Sequence, residues 1–291
     1  MLLLDIVLSG LVLGGMYALT SMGLTLQYGV ARIMNLAYGE FLVGAAFVAF
    51  CLYTEAKMSP LVGLILAVPL AFVANWAIYR WLLTPLVNRA KSRGQLEVDS
   101  ILATFGLLFI VQGIALIMFG GQYYSYSYLS VPVSILGVPL ALNRLLALAL
   151  AVLIAVGLYL ALTRTRTGTA IRAVAVDPNA ARLVAIDVAT ASAFAFALGG
   201  ALVAAGGVLV SMFLTFNAAM GVVFTMKALI VVIVGGLGNI IGALAVGLLL
   251  GVIETAVSRL LDPGLTLAAT YALFMIALLV RPTGLFGSLA R

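Results

Sequence analysis

The sequence predicts an all-α, polytopic transmembrane helical bundle, and three observations carry that prediction. Of 291 residues, 65% are hydrophobic and only 8% are charged, whereas a soluble domain carries roughly a quarter of its residues as Asp, Glu, Lys and Arg. Apolar runs recur at about the 20-residue length that crosses a bilayer. The basic residues sit in the short loops between those runs, where cytoplasmic loop charge belongs, so the formal charge of +6 does not argue for nucleic acid. The whole chain, 1–291, reads as one transmembrane domain.

Taken in order, apolar spans lie near 6–28, 36–54, 60–82, 99–119, 144–162, 191–214, 222–258 and 266–280. The opening MLLLDIVLSG carries Asp5 in place of a basic signal-peptide region and reads as the start of the first span. The run 222–258 is too long for one crossing and holds Gly235-Gly236-Leu237-Gly238-Asn239 at its middle, a helix-breaking cluster. Split there, it becomes two short segments or a re-entrant hairpin. The prediction is therefore about 8 full spans plus a broken or re-entrant helix pair.

Charge supports the split. With the N-terminus outside and nine crossings, the inside holds Arg32, Arg80, Arg89, Lys91, Arg93, Arg164, Arg166, Arg172, Arg182, Arg281 and Arg291, against Lys57, Arg144, Lys227 and Arg259 outside. A weak internal repeat is also visible. The break and small-residue helix of Tyr28–Phe50 reappear in order at Gly235–Gly251, each followed by a loop Pro (Pro60, Pro263) and a span ending in Arg (Arg80, Arg281). In this topology the two copies run parallel; chance similarity between Gly/Ala-rich helices is the alternative.

Two loops stand out. The segment 163–187 predicts a short helix over Ala170–Val176 and a second to about Val184, started by Asp177 as N-cap with Pro178 at the first helical position. It is either a docking element on the cytoplasmic face or a loop held to headgroups by Arg164, Arg166 and Arg172. The outer loop, about 120–143, contains GGQYYSYSYLS; its tyrosines Tyr123, Tyr124, Tyr126 and Tyr128 read first as an interfacial belt. Gln112 and Asn217 read as hydrogen bonders between helices. Asn35, Tyr38 and Glu40 mark one helix break, and Gly235, Gly236, Gly238 and Asn239 the other. Each break either lines a substrate pathway or gate, or serves close helix packing.

Several chemistries are excluded or disfavoured. The chain has no His and a single Cys, Cys51, so a histidine-dependent protease cannot be assembled and no metal cluster or disulfide framework is expected. Asp5, Glu40, Glu254 and Asp262 all fall near predicted span ends, which disfavours an ion-coupled carrier with a deep acidic relay. No G-x-x-x-x-G-K-[ST] loop is present to cradle ATP.

Arg166-Thr167-Gly168, Arg172, Asp177, Ala181 and Ile186 follow a recognisable order. The segment resembles the coupling segment of ABC importer permeases of the branched-chain amino acid family: R-T-G, a short helix, an acidic residue, then A-x-x-x-G-I. Ala185 departs from it where the family usually has Gly. NLAYGEF at 35–41, GGLGN at 235–239 and RPTGLFG at 281–287 are similar to that family too. The resemblance implies a multi-pass permease subunit in a bacterial inner membrane. Its partners would be a second related permease subunit, two ATP-binding cassette ATPase subunits and a periplasmic substrate-binding protein. ATP and Mg would sit on the ATPases, with no cofactor on this chain. Ala173, within the coupling segment, is the position where a charge or Pro should abolish transport. The implied cargo is leucine, isoleucine or valine, with urea or short amides as the alternative within the family and an ion-coupled secondary transporter as the alternative outside it.

Overall fold

The computed structural model describes residues 2–135 and 137–287, at Arg93 the backbone alone; Arg291, counted above with the inside charges, lies outside the described residues. Long apolar sequences become long helices. α1 (Leu2–Ala31) ends in an extended segment, 32–37, and the chain resumes as α2 (Tyr38–Thr54). α3 (Pro60–Ile78) begins on the Ser59 hydroxyl, which accepts from the Leu61 N–H, with Pro60 as first helical residue. It continues through one π turn, Tyr79–Leu83, into α4 (Thr84–Arg89). α5 (Arg93–Phe119) is capped by Ser92. A small antiparallel hairpin, β1 (Pro132–Ile135) and β2 (Val138–Ala141), precedes α6 (Leu142–Arg164).

The second half holds α7 (Arg166–Val176), α8 (Pro178–Leu183), α9 (Val188–Ser211), an irregular segment 212–220, and α10 (Gly221–Gly235). A turn at 236–239 leads to α11 (Ile240–Leu260), and a 3-10 turn at Pro263–Leu265 leads to α12 (Thr266–Val280). Among the described residues, seven helical stretches are long and apolar enough to cross a membrane. α2 and α10, at 17 and 15 residues, would span only about 25 and 22 Å at 1.5 Å per residue, short of a hydrocarbon core of about 30 Å. α2 is preceded by the non-helical segment 32–37 and α10 by the irregular segment 212–220. The expected span 191–214 therefore ends early, at Ser211. Its last residues belong to the irregular segment.

α9 is the axis of the bundle, buried along nearly its whole length and wrapped by α1, α2 and α3. Small residues permit this. On α1, Gly10 and Gly14 lie directly against α11, where a Cβ on Gly14 would overlap the backbone of Leu248, the close approach that small-xxx-small faces allow. α5 and α12 are mostly exposed on the periphery.

The packing reveals a repeat. α1 lies against α11 as α9 lies against α3; α2 pairs with α3 as α10 pairs with α11; and α2 contacts α9 as α10 contacts α1. α2 runs from the bundle centre toward the hairpin end, where Tyr53 meets Ser127. α10 runs from the centre toward the α7–α8 end, where Gly238 approaches Gly29. In this packing the counterpart of α2 is thus α10, inverted in direction, whereas the sequence-level repeat aligned α2 in parallel with α11. Gly/Ala-rich composition, shared by α2 and α11, produced that alignment.

Candidate functional site

The first break is bolted in place by side chains from four helices. Asn35 donates to Gln27 (3.2 Å) and accepts the Ala37 N–H (3.1 Å), while Gln27 donates to the Phe196 carbonyl (2.8 Å). Thr104 accepts from the Leu36 N–H and donates toward the Met34 carbonyl. Thr225 of α10 accepts from the Gly39 N–H (2.8 Å), and the Tyr38 hydroxyl donates to the Thr20 carbonyl (2.6 Å). Backbone groups freed by the break are thereby satisfied without water, as membrane depth requires. Asn35, Tyr38 and Glu40 are all within 2% of full burial.

The amino ends of α2 and α10 meet at Glu40. A Cβ on Gly221, the first residue of α10, would overlap the Glu40 carboxyl group. That carboxyl makes no hydrogen bond among the described residues. It sits in the third position of α2 and against the start of α10, so the positive ends of two helix dipoles converge on it.

A second carboxylate lies nearby in entirely different company. Glu254 of α11, 3% exposed, accepts from the Tyr17 hydroxyl (2.7 Å), the Lys227 ammonium (2.8 Å) and the Thr270 hydroxyl. Lys227 also donates to the Tyr17 oxygen (2.7 Å), its charge 4.8 Å from the ring centre. Four helices, α1, α10, α11 and α12, each supply one member. The cluster forms the floor of a cleft of about 440 Å³ that includes Arg144 and Arg259 and opens at the hairpin end. A second cleft, about 600 Å³, opens at the α7–α8 end and is lined by Thr25, Gly29, Arg172, Gly238 and Asn239. Between them α1 is fully buried from Tyr17 to Gln27.

Glu40 and Glu254 were expected near span ends. Both instead lie inside the bundle: Glu40 because its helix starts at the centre, Glu254 because Tyr17, midway along α1, reaches it.

The α7–α8 element is two short helices with side-chain caps at their starts. Thr165 caps α7 by accepting from the Gly168 N–H (3.0 Å), so the helix begins at Arg166, a turn earlier than Ala170. A Cβ on Gly168 would overlap the backbone of Ala161 and Leu162, which places α7 hard against the end of α6. Asp177 accepts from Asn179 and Ala180 and Pro178 opens α8, as the sequence predicts. Ala185 closes α8 in a left-handed conformation (φ 60°), with Ala185 N–H bonded to Arg182 and Ile186 N–H to Ala181, a Schellman cap usually built on Gly. Asp187 then caps α9. Hydrogen bonds from the Thr190 hydroxyl and backbone hold its carboxyl below the usual carboxylate range.

Inward, Ile171, Val174 and Ala181 are buried, while Val176, Leu183 and Val184 project at 83%, 89% and 69% exposure. Arg166, Thr167, Arg172 and Asp177 are exposed; Ala173, Pro178 and Ile186 are half-buried. Arg32 donates to the Ala175 carbonyl near the carboxyl end of α7 (3.0 Å).

The glycine cluster is a turn at the same end. Gly236 and Gly238 take left-handed φ values of 96° and 82°. Asn239 caps α11 through the Gly242 N–H and donates to the Phe286 carbonyl, clamping the RPTGLFG segment, whose Leu285 N–H bonds to Val234. No described hydrogen bond joins this group to Asn35, Tyr38 and Glu40.

Three further expectations are corrected. Asn217 bonds its own neighbour, accepting from the Ala219 N–H in a local turn. Gln112, on the half-exposed surface of α5, makes no described hydrogen bond. Of the four tyrosines, only Tyr123 is exposed. Tyr124 pairs its backbone with Phe216, Tyr126 bonds Ser211 (2.8 Å) and Tyr128 bonds Ser59 (2.9 Å), forming an aromatic cap with Phe47, Phe50 and Tyr53. Burial pushes the Tyr126 hydroxyl up to about 12.

The sequence reading missed the partnership of Lys227 with Glu254. The available signal was that each is an isolated charge within an apolar run.

The family described as branched-chain amino acid transport system / permease component matches residues 6–280. The chain is 28% identical to the high-affinity branched-chain amino acid transport system permease protein LivH of Salmonella typhimurium, and 27% identical to LivH of Escherichia coli K12. It is 28% identical to the corresponding permease protein BraD of Pseudomonas aeruginosa. Each similarity covers 96% of this chain and 94% of the relative. The chain matches no solved structure.

Proposed function

This chain belongs to the branched-chain amino acid transport system / permease component family, and from that premise we propose that it is the membrane-spanning subunit of an ATP-driven importer for leucine, isoleucine or valine. The observation that carries the mechanism is the α7–α8 element. Its inner side is locked to the bundle through Gly168, Ile171, Val174 and Ala181, while Val176, Leu183 and Val184 project from the chain uncovered. An exposed apolar group on a rigid mount is what a docking partner covers. In this reading the partner is one of two ATP-binding cassette subunits and the α7–α8 end faces the cytoplasm. A second permease subunit and a periplasmic binding protein complete the complex.

Force applied to α7 has a direct route inward. Arg32 grips the carboxyl end of α7 and is the first residue of the break that leads into α2. A shift of α7 therefore pulls on the segment that holds Asn35, Tyr38 and Glu40. Those residues, with the Gly235–Asn239 turn, act as the joints that let the clefts at the two ends open in alternation.

Leu183→Glu and Ala173→Pro are expected to abolish ATP-driven uptake while the chain still inserts. Pro at 173 breaks α7 at a cost of about 3 kcal/mol. Uptake intact in both variants would overturn the docking assignment. Buried Glu40 and Glu254 support a second reading, an ion-coupled carrier. A tagged pulldown from gently solubilised membranes separates the two. Two P-loop ATPases and a second permease support the importer; the chain recovered alone, from membranes whose other complexes survive, supports the carrier.

A further inference from the structure

The hairpin-end cleft has the chemistry of an amino acid zwitterion in negative. Its floor is an ion pair that is not fully used. Lys227 has three N–H donors and spends two, on Tyr17 and Glu254. The Glu254 carboxylate has about four acceptor sites, and three are taken, by Tyr17, Lys227 and Thr270. One donor remains on Lys227 and one acceptor on Oε1 of Glu254, the oxygen that Thr270 engages, and Lys227, at 13% exposure, borders the open space.

A buried ion pair is costly to desolvate and gives little stability over an apolar replacement, so packing alone gives it no reason to stand at the wall of a cavity. Above it Arg144 lines the cleft and forms no ion pair among the described residues, whereas Arg259 is engaged by Asp5 at 3.3 Å. The lining a turn or two along the same helices is apolar, Leu13 beside Tyr17 and Phe224 and Met220 beside Lys227, with Phe213 added from the segment after α9. A volume of about 440 Å³ falls within the roughly 300–1,000 Å³ of small-molecule sites.

We propose that this cleft is a transit site for an α-amino acid with an apolar side chain, its ammonium on Glu254, its carboxylate on Lys227 and Arg144, and its side chain against Leu13, Met220 and Phe224. The inference rests on the permease reading and adds to it a site within this subunit. Position and chemistry agree: Tyr17 stands midway along α1, and transporter sites lie near the bilayer midplane beside discontinuous helices, here α10. Removing either charge from the ligand leaves the spare donor of Lys227 or the spare acceptor of Glu254 unmatched in a closed cleft, which is how a polar site rejects a near-isostere.

The test uses the assembled importer in lipid vesicles with a single reporter thiol. Cys51 is the chain's one cysteine, so Cys51→Ser with Ser258→Cys places the thiol at the cleft wall, one helical turn from Glu254. L-Leucine is expected to slow maleimide labelling; leucinol, lacking the carboxylate, and 4-methylpentanoate, lacking the amine, are not. Arg144→Gln, outside the buried pair, is expected to demand about tenfold more leucine for equal protection, the loss of one charged hydrogen bond. Lys227→Gln is expected to remove protection. Absence of leucine protection, or equal protection by all three compounds, would overturn the proposal. ATP-driven leucine uptake by the same vesicles, measured in parallel, keeps the failures apart: uptake without protection refutes this site and leaves the permease reading standing, whereas no leucine uptake refutes that reading too.

Discussion

Two carboxylates sit in the middle of this bundle at nearly equal burial, Glu40 at 2% and Glu254 at 3% exposure, and almost nothing else about them is alike. Glu254 is reached by a phenol, an ammonium and a hydroxyl from three other helices. Glu40 bonds to nothing among the described residues and has two helix amino ends for company. Burial alone therefore says little about a charged group. Discrete partners make Glu254 part of a directional site; Glu40 has only the diffuse field of two helix amino ends at a joint.

The contrast can be broken by mutation. Glu254→Ala strands Lys227, and removal of one partner from a buried pair costs about 3–5 kcal/mol; thermal unfolding in detergent should show it as the larger loss. Lys227→Met with Glu254→Leu should recover most of that stability and none of the leucine uptake. Full uptake in that double variant would reduce the pair to a packing feature. Gly221→Ala comes next, at about 1–3 kcal/mol for overpacking against the Glu40 carboxyl. Combined with Glu40→Ala its penalty should largely vanish, and additive losses would show that the two residues do not meet. Smallest is Glu40→Gln. With no described hydrogen bond to lose, and with the dipole attraction of about 0.3–1 kcal/mol offset by relief of a buried carboxyl's desolvation, it should shift stability by less than about 1 kcal/mol. A loss as large as that of Glu254→Ala would place an undescribed partner on Glu40.

What the sequence reveals follows from the range of the forces involved. The spans are legible because membrane helices need only apolar length, and Asp177-Pro178 marks a helix start through bonds two and three residues away. The 236–239 turn is legible for the same reason, since glycine's freedom at positive φ is local. The break between the spans ending at 214 and starting at 222 is legible, but its earlier start at Met212 is not. Met212-Phe213-Leu214-Thr215-Phe216 contains no Gly or Pro, and the segment is held open by the Tyr124–Phe216 and Tyr126–Ser211 contacts from a distant loop. Lys227 and Glu254 belong to two helices, and no spacing rule pairs them across the intervening turn. Ala185 is a partial case: the missing glycine was visible, and the left-handed conformation it would have eased is retained.

The inverted relation between α1–α3 and α9–α11 also bears on biogenesis. One half must enter the membrane as the mirror of the other, so orienting charge has to follow the helices of the first, as Arg32, Arg80 and Arg89 do, and precede those of the second, as Arg166, Arg172 and Arg182 do. α5 and α6 are the pair that brings the nascent chain back to the side it left. Deleting both together should leave α9 threading in its native sense, whereas deleting one should force the second half in backwards or leave it outside the bilayer altogether.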